Sequence, residues 1–221
     1  MPDRSRLREL AAESNEKGDP TGWFDRFYRE AEEGKAQIPW ADGIANPRLV
    51  DFLRRHPQDT AGKSALVVGC GLGDDSEFLA GESFATTAFD ISPTAIVAAV
   101  RRFPHSRVTY VTADLFHPPA IWKQDFDFVF EANTLQALPK SIRATAMERI
   151  AEFVAPGGAL LVIARGRDET EPEGQIPWPL TRAELNKFQR IGLAEKFFEE
   201  HSAREETTSV RRFCTFYTRP L

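Results

Sequence analysis

Cysteine is scarce in this chain, with Cys70 and Cys214 the only two among 221 residues. That is too few for a disulfide framework or a cysteine-built metal cluster, so each thiol reads as a small buried apolar group and no metal site is expected. No apolar run approaches the roughly 20 residues of a membrane span, and the N-terminal Met1-Pro2-Asp3-Arg4-Ser5-Arg6 leads into polar sequence without a signal-peptide core. A cytoplasmic protein with no membrane partner is expected. Basic charge is also in deficit: 28 Lys and Arg stand against 33 Asp and Glu, a net charge of −5. Nucleic acid is therefore excluded as a partner, because phosphate binding needs a basic face and Arg211-Arg212 is too short to make one. Repeats, low-complexity tracts and long linkers are missing as well. A single α/β enzyme domain, acting as a monomer on a small molecule, is ordinary for this length.

What the chain does have is an apolar run that empties into alternate glycines and then two acids: Ala65-Leu66-Val67-Val68-Gly69-Cys70-Gly71-Leu72-Gly73-Asp74-Asp75. A strand of Ala, Leu and Val alone is buried on both faces, as in a parallel sheet, and glycines at its carboxyl end let the backbone bend sharply and approach a ligand. The spacing is Gly-x-Gly-x-Gly. A dinucleotide fingerprint starting at Gly69 would need glycine at position 74, where Asp74 stands. Carboxylates at 74 and 75 suit the start of a helix, where they cap N–H groups and complement the dipole, but they repel a pyrophosphate. The loop fits a nucleoside without phosphates, and S-adenosylmethionine is the common one.

Two further strand ends point the same way. Phe84-Ala85-Thr86-Thr87-Ala88-Phe89 closes on Asp90, and in Ile91-Ser92-Pro93 the serine caps a helix whose first position is proline. An acid about 20 residues after a glycine loop, at the tip of the second strand, is placed to accept from ribose hydroxyls. Val108 to Leu115 is a third strand ending in an acid; Asp114 can accept from an adenine amino group while Leu115 covers the ring. Each signal alone is an ordinary turn or cap. Their order and βαβ spacing make the nucleoside reading the better one.

The remaining pattern alternates. Helical stretches are expected over 7–17, 23–33 and 47–56, the last opened by Asn46 and Pro47. Strands follow at 64–69, 84–90, 107–112, 126–131, 158–165, 194–200 and 210–218, with helices near 74–80, 93–103, 140–154 and 181–191. Thr181-Arg182-Ala183-Glu184 reads as a capping box, and Gly157-Gly158 ends the preceding helix. The last two strands have no helix between them and are expected to pair as a hairpin across a loop of Ser202 to Ser209, making an antiparallel edge strand. The fold class is α/β: a Rossmann-like, doubly wound, seven-stranded sheet, mostly parallel with an antiparallel last strand and helices on both faces. Residues 1–45 are expected to form an N-terminal helical lid segment and 46–221 the main domain, compact together.

On these residues the chain resembles the class I S-adenosylmethionine-dependent methyltransferases, and within them the branch of thiopurine and plant halide/thiol methyltransferases. Gly22-Trp23 with Ile38-Pro39-Trp40-Ala41-Asp42-Gly43 and Asn46-Pro47 is similar to the branch's N-terminal segment. Val68 to Asp74 resembles the cofactor loop, Phe89-Asp90-Ile91-Ser92 the ribose motif and Ala113-Asp114-Leu115-Phe116 the adenine motif. Asp125 to Glu131 and Phe153 to Gly158 resemble the fourth and fifth strands. After the fourth strand the chain departs from the plant enzymes with Glu131-Ala132-Asn133-Thr134-Leu135-Gln136-Ala137-Leu138-Pro139, so their acceptor preference does not carry over.

The resemblance implies S-adenosyl-L-methionine as cofactor, with S-adenosyl-L-homocysteine as product. Gly69, Cys70 and Gly71 would pass the methionine part, Asp90 and Ile91 the ribose, Asp114 and Leu115 the adenine, with Glu131 also in contact. Trp40, and Trp23 beside it, would fold over the sulfonium, where an aromatic face gains cation–π stabilisation and excludes water. Phe24, Phe27 and Tyr28 read instead as a packing face. Methyl transfer is an in-line displacement that needs alignment more than a base, since a soft, acidic nucleophile such as a thiol can arrive already ionised whereas a hydroxyl or amine usually needs a proton acceptor. Candidates at the mouth are Glu131 and Asn133 for chemistry and Trp40, Arg165 and Trp178 for the acceptor, with Arg167 nearby, because open α/β sheets bind ligands at the carboxyl edge. His117, after the adenine motif, reads as a turn residue. Transfer to a thiol leads, with oxygen or nitrogen of a small metabolite as alternative; a nicotinamide oxidoreductase and a non-catalytic binding module rank below.

Overall fold

The computed structural model describes residues 4–57, 59–205 and 208–221. Seven strands form a sheet in the order β3-β2-β1-β4-β5-β7-β6, from β1 (Ser64–Val68), β2 (Ala85–Asp90), β3 (Thr109–Thr112), β4 (Phe126–Ala132), β5 (Val154–Arg165), β6 (Ala194–Glu205) and β7 (Thr208–Thr218). The expected fold class holds: the pairs β2–β3, β1–β4 and β4–β5 are parallel and the last strand is antiparallel. The chain divides into two compact units, Met1–Gly62 with Gly69–Asp114, and Lys63–Val68 with Leu115–Leu221. Among the described residues no helix is long and apolar enough to cross a membrane.

The first unit carries the helices α1 (Ser5–Glu16), α2 (Trp23–Glu32), α3 (Pro47–Arg55), α4 (Asp74–Gly81) and α5 (Pro93–Arg102). The caps read from sequence are present: Asn46 accepts from the Arg48 amide and Ser92 from the Ala95 amide, each ahead of a proline. α2 packs on α1 and α5. Its Asp25 accepts from Ser92 Oγ (2.8 Å) and the Thr94 amide (3.2 Å), so an acid of the N-terminal segment holds the first turn of α5. Arg6 pairs with Glu30 at 2.6 Å and Arg101 with Glu32 at 2.7 Å.

In the second unit β4 and β5 supply a core of Phe128, Val129, Phe130 and Leu160 to Ala164, covered by the buried face of α6 (Lys140–Phe153). β7 lies between β5 and β6 and is antiparallel to both. The antiparallel strand is thus internal, and the expected antiparallel edge is corrected: β6 is the edge. Burial explains the order. Phe213, Cys214 and Thr215 are buried consecutively, which requires cover on both faces, whereas residues 194–202 of β6 carry Glu195, Lys196, Glu199 and Glu200 and include none that is buried, which suits an exposed edge. The hairpin also runs further than expected, with Arg204 paired to Ser209 and Glu205 to Thr208 where a loop was read. β5 begins at Val154 rather than 158, absorbing Gly157 and Gly158; a Cβ on Gly158 would meet the carbonyls of Phe126 and Ala155 at 2.9 Å. The last helix is two short ones, α7 (Arg182–Leu185) and α8 (Lys187–Arg190), opened by the expected capping box of Thr181 and Glu184.

Arg143 on α6, 2% exposed, braces the loop after β5. Its guanidinium donates to Glu184 (2.6 Å), Glu173 (2.8 Å) and the carbonyls of Leu135 (3.2 Å) and Leu138 (3.0 Å). Removing one member of such a buried set strands the others. Arg143→Met is expected to cost about 3 kcal/mol and lower the melting temperature by roughly 6–12 °C. A melting curve that overlays the wild type's would show the brace to be dispensable.

Candidate active site

The glycine loop, Asp90 and Trp40 meet within the first unit. Leaving β1, the backbone turns through positive φ at Gly69 (61°), Gly71 (54°) and Gly73 (91°), angles that side chains resist. The Cys70 amide donates to the Phe89 carbonyl at 2.8 Å. Asp90, 6% exposed, then ties the turn down: Oδ2 accepts from the Gly71 amide at 3.0 Å and Oδ1 from the Ser92 amide at 2.9 Å. Burial pushes its pKa up to about 6, while the amides of Ser92, Gly71 and Ile91 pull it back. A carboxylate offers about four acceptor sites, and these three amides leave capacity for a further donor. The Cys70 thiol is held well above its usual range, first by burial and then by Asp90, so it is an inert packing group.

Trp40 is 36% exposed, and its Nε1 donates to the Tyr28 hydroxyl at 3.0 Å. A Cβ on Gly71 would stand 2.9 Å from that hydroxyl and 3.7 Å from Trp40 Nε1, so both rings lie against the loop at its missing side chain. Trp23 joins the packing face of α2. It is 2% exposed, stacked on Phe24 at 3.9 Å and edge-on to Phe27 at 6.4 Å, because residues 23 and 27 share one helix face. Ile91 and Asp114 are half-buried in this unit. The two acids after the loop do not cap α4. Asp74 makes a bidentate pair with Arg102 at 2.9 Å, whose guanidinium also holds the Leu72 carbonyl at 2.7 Å, and Asp75 accepts from the Asn46 amide at 2.6 Å.

The second unit gathers the acceptor-side candidates around the tip of β4. Glu131 is wholly buried; its Oε1 accepts from the Leu135 amide at 3.0 Å, Oε2 has no hydrogen-bond partner, and burial pushes its pKa up to about 7. Asn133 holds a left-handed backbone (φ 69°), and its side-chain oxygen accepts from Gln136 Nε2 (3.1 Å) and Arg212 Nη1 (2.9 Å). Gln136, 5% exposed, is the hub: it also accepts the Arg165 amide at 2.6 Å and, through its carbonyl, the Trp178 amide at 2.7 Å. Arg165 faces Arg212 across the β5–β7 ladder and borders a groove of about 540 Å³ shared with Arg167, Glu171 and Arg211. Arg167 is spent on the loop itself, donating to the carbonyls of Pro179 (3.1 Å) and Glu171 (2.8 Å). Leu115 is buried at 7% and His117 is exposed.

Tyr28, Gln136 and Arg212 are the site residues that sequence reasoning missed. Tyr28 sits on a helical apolar stripe, where its hydroxyl gives no separate signal. Gln136 lies three residues after Asn133, a spacing that could have suggested the amide pair, but Arg212 comes from 79 positions away and only the strand register delivers it. Among the described residues no group of three or more His, Cys, Asp or Glu is arranged to hold a metal ion.

Asp75 gives this site a pH signature. Burial, with Asp74 adding to it, pushes its pKa up to about 6, above that of the unfolded chain, so ionisation works against folding and its contribution is lost as pH rises from about 4 through about 6. Asp75→Asn keeps the oxygen that accepts from Asn46 and removes the charge. The variant is expected to melt a few degrees above wild type at pH 8 with no such gain at pH 4; equal shifts at both values would show that ionisation is not the cause.

Comparison with known proteins identifies the family. The family model for thiopurine S-methyltransferase (TPMT) matches residues 19–216. The thiopurine S-methyltransferase of Vibrio cholerae serotype O1 (strain M66-2) is 26% identical over 186 residues, 76% of this chain and 79% of that protein. A probable thiol methyltransferase 2 of Arabidopsis thaliana is 27% identical over 155 residues, 67% of this chain and 65% of that protein. Among solved structures, the N-methyltransferase NodS from Bradyrhizobium japonicum WM9, in complex with S-adenosyl-L-homocysteine, matches with a TM-score of 0.69 at 20% identity, covering 89% of this chain and 100% of that one, a likeness of fold. Matched from residue 19 to residue 216 by the family's model, the chain belongs to the thiopurine S-methyltransferase family of S-adenosylmethionine-dependent methyltransferases.

Proposed function

We propose that this protein transfers a methyl group from S-adenosyl-L-methionine to the sulfur of a small-molecule thiol, acting as a cytoplasmic monomer. The observation that carries the cofactor half is the junction at Gly71, whose amide bonds to Asp90 and whose Cα side packs against the Tyr28 hydroxyl and the edge of the Trp40 indole. The left-handed turn at Gly71 brings the backbone against the part-exposed Trp40 ring, and Asp90 keeps acceptor capacity for a hydroxyl donor; both features fit an adenosyl amino acid. When bound, the cofactor supplies a methyl group activated by a sulfonium. The chain's own work is to bind and align. Gly69, Cys70 and Gly71 would line the methionine part, Asp90 and Ile91 the ribose, and Asp114 and Leu115 the adenine. Trp40 would lay its half-exposed ring against the positive charge and keep water away, with residues 1–45 acting as the lid.

For the acceptor, Arg165 and Trp178 are held in place by Gln136, and Asn133 by Arg212, so the post-β4 segment is rigid enough to orient a nucleophile. The thiol over the hydroxyl is supported by the relatives' own names and by the greater acidity of thiols, part of which can arrive as thiolate.

Two measurements test this reading. S-adenosyl-L-homocysteine is expected to raise the melting temperature and NAD to leave it unchanged, and a panel of thiols, phenols, amines and iodide is expected to show thiols turned over fastest. Stabilisation by the dinucleotide alone would overturn the methyltransferase reading, and phenols faster than any thiol would move the acceptor to oxygen. Asp90→Ala is expected to weaken cofactor binding by roughly 2–3 kcal/mol, since a charged acceptor makes the stronger bonds. Unaltered affinity in calorimetry would reduce Asp90 to a brace of the loop.

A further inference from the structure

Two groups that can only donate settle which way the Asn133 amide faces. The Arg165 backbone N–H meets Gln136 Oε1 at 2.6 Å, so the other end of that side chain is Nε2, which donates to Asn133 at 3.1 Å. Arg212 Nη1 reaches the same Asn133 atom at 2.9 Å, and a guanidinium has no acceptor, so that atom is the oxygen Oδ1. Turning the amide over would set its N–H groups against two donors. Nδ2 is thus the end left outside the network, and it donates to none of the described residues. Asn133 is half-buried at the carboxyl end of β4 with φ 69°, a left-handed backbone that asparagine tolerates better than most residues. A fixed, reachable donor at such a strand tip stands where open α/β sheets meet their ligands.

The surroundings of this donor favour an anion. Arg165 on β5 is in register with Arg212 on β7, and Arg212 with His201 on β6, so the three leave the sheet on one face. The neighbouring acids are engaged: Glu131 is wholly buried and accepts from the Leu135 amide, Glu199 pairs with His201 at 3.1 Å, and Glu173 and Glu184 hold Arg143 on α6. The guanidinium on Oδ1 polarises the amide and strengthens Nδ2 as a donor. We propose, on the thiol methyltransferase reading given above, that Asn133 Nδ2 donates to the attacking sulfur of the acceptor in its thiolate form, so that Asn133 is a catalytic residue holding the nucleophile's charge. The thiol's proton passes to solvent as the acceptor binds. The thiolate lone pair then forms the new bond to the methyl carbon while that carbon's bond to the sulfonium breaks, its electron pair staying on the sulfonium sulfur; two neutral thioethers result. A charge-assisted hydrogen bond to the thiolate, with no such bond to the thiol, lowers the acceptor's pKa in the complex.

The test is the pH dependence of kcat for the full chain with S-adenosyl-L-methionine and saturating thiols whose own pKa values run from about 7 to about 10, since kcat reports ionisation within the complex. The wild type is expected to show an ascending limb about 1 unit below each thiol's own pKa, moving from thiol to thiol. Asn133→Asp keeps an oxygen for Arg212 and Gln136 and suits the same φ, but exchanges Nδ2 for a charged oxygen. It is expected to move each limb to or above the free thiol's pKa and to lower kcat about 100-fold near neutral pH. Asn133→Gly, unstrained at this φ, removes the donor without adding charge; it is expected to return the limb to the free thiol's pKa with about a 10-fold loss, and it carries the comparison should the aspartate variant fold poorly. A wild-type limb at one pH whatever the thiol would assign the ionisation to the protein, at Glu131 or His201, and overturn the inference. Limbs unmoved in both variants, with or without loss of rate, would overturn it in favour of a structural role. A wild type that methylates phenols or amines but no thiol would overturn the thiol reading itself.

Discussion

The hydrogen bond from the Gly71 amide to the Asp90 carboxylate, 3.0 Å long, connects the end of β2 to the turn that follows β1. A carboxylate 6% exposed has little water to lean on, so it must find donors in the protein, and those within reach are backbone amides on two sides: Gly71 in the loop and Ser92 at the cap of α5. Meeting that demand fixes the loop's course. The loop then needs positive φ at Gly69, Gly71 and Gly73, which only glycine adopts without strain, and the absent side chain at Gly71 leaves the space against which Tyr28 and Trp40 rest. Loop shape, the start of α5 and the position of the half-exposed indole thus follow from one buried charge.

The same physics recurs at Asp75 and Glu131. Each is a carboxyl with little access to water, held by a backbone amide and not by a cation, and each has its pKa raised by burial. The pattern differs from the surface, where Arg6, Arg101 and Arg182 pair with Glu30, Glu32 and Glu195 in solvated ion pairs worth little individually. Acids held by backbone alone keep capacity for a further donor.

After β4 the organising feature is a neutral amide network. Gln136 joins Asn133, the Arg165 amide and the Trp178 amide, so three segments that diverge in sequence are set by one buried side chain. Arg143 holds the same loop from beneath through Glu173 and Glu184. Pinning of this kind suits a displacement reaction, whose rate depends on alignment more than on proton transfer.

Much of the architecture was legible in the residues. The apolar strand before Gly69, the caps at Asn46, Ser92 and Thr181, and the acids closing the second and third strands are local signals, because propensity, capping and turn chemistry act over a few residues. Together they determined the fold class, the cofactor loop and Asp90. What local signals cannot carry is register and burial. Only the folded sheet placed β7 inside β6, since that choice depends on which strand finds cover on both faces. Only the β5–β7 register brought Arg212 to the chain's level at Arg165, from where it reaches Asn133, and only helical packing turned Trp23 inward while leaving Trp40 out. The unmatched oxygen of Glu131 is likewise a property of its surroundings: sequence named the acid at the strand's end, and the tertiary structure decided that water does not reach it.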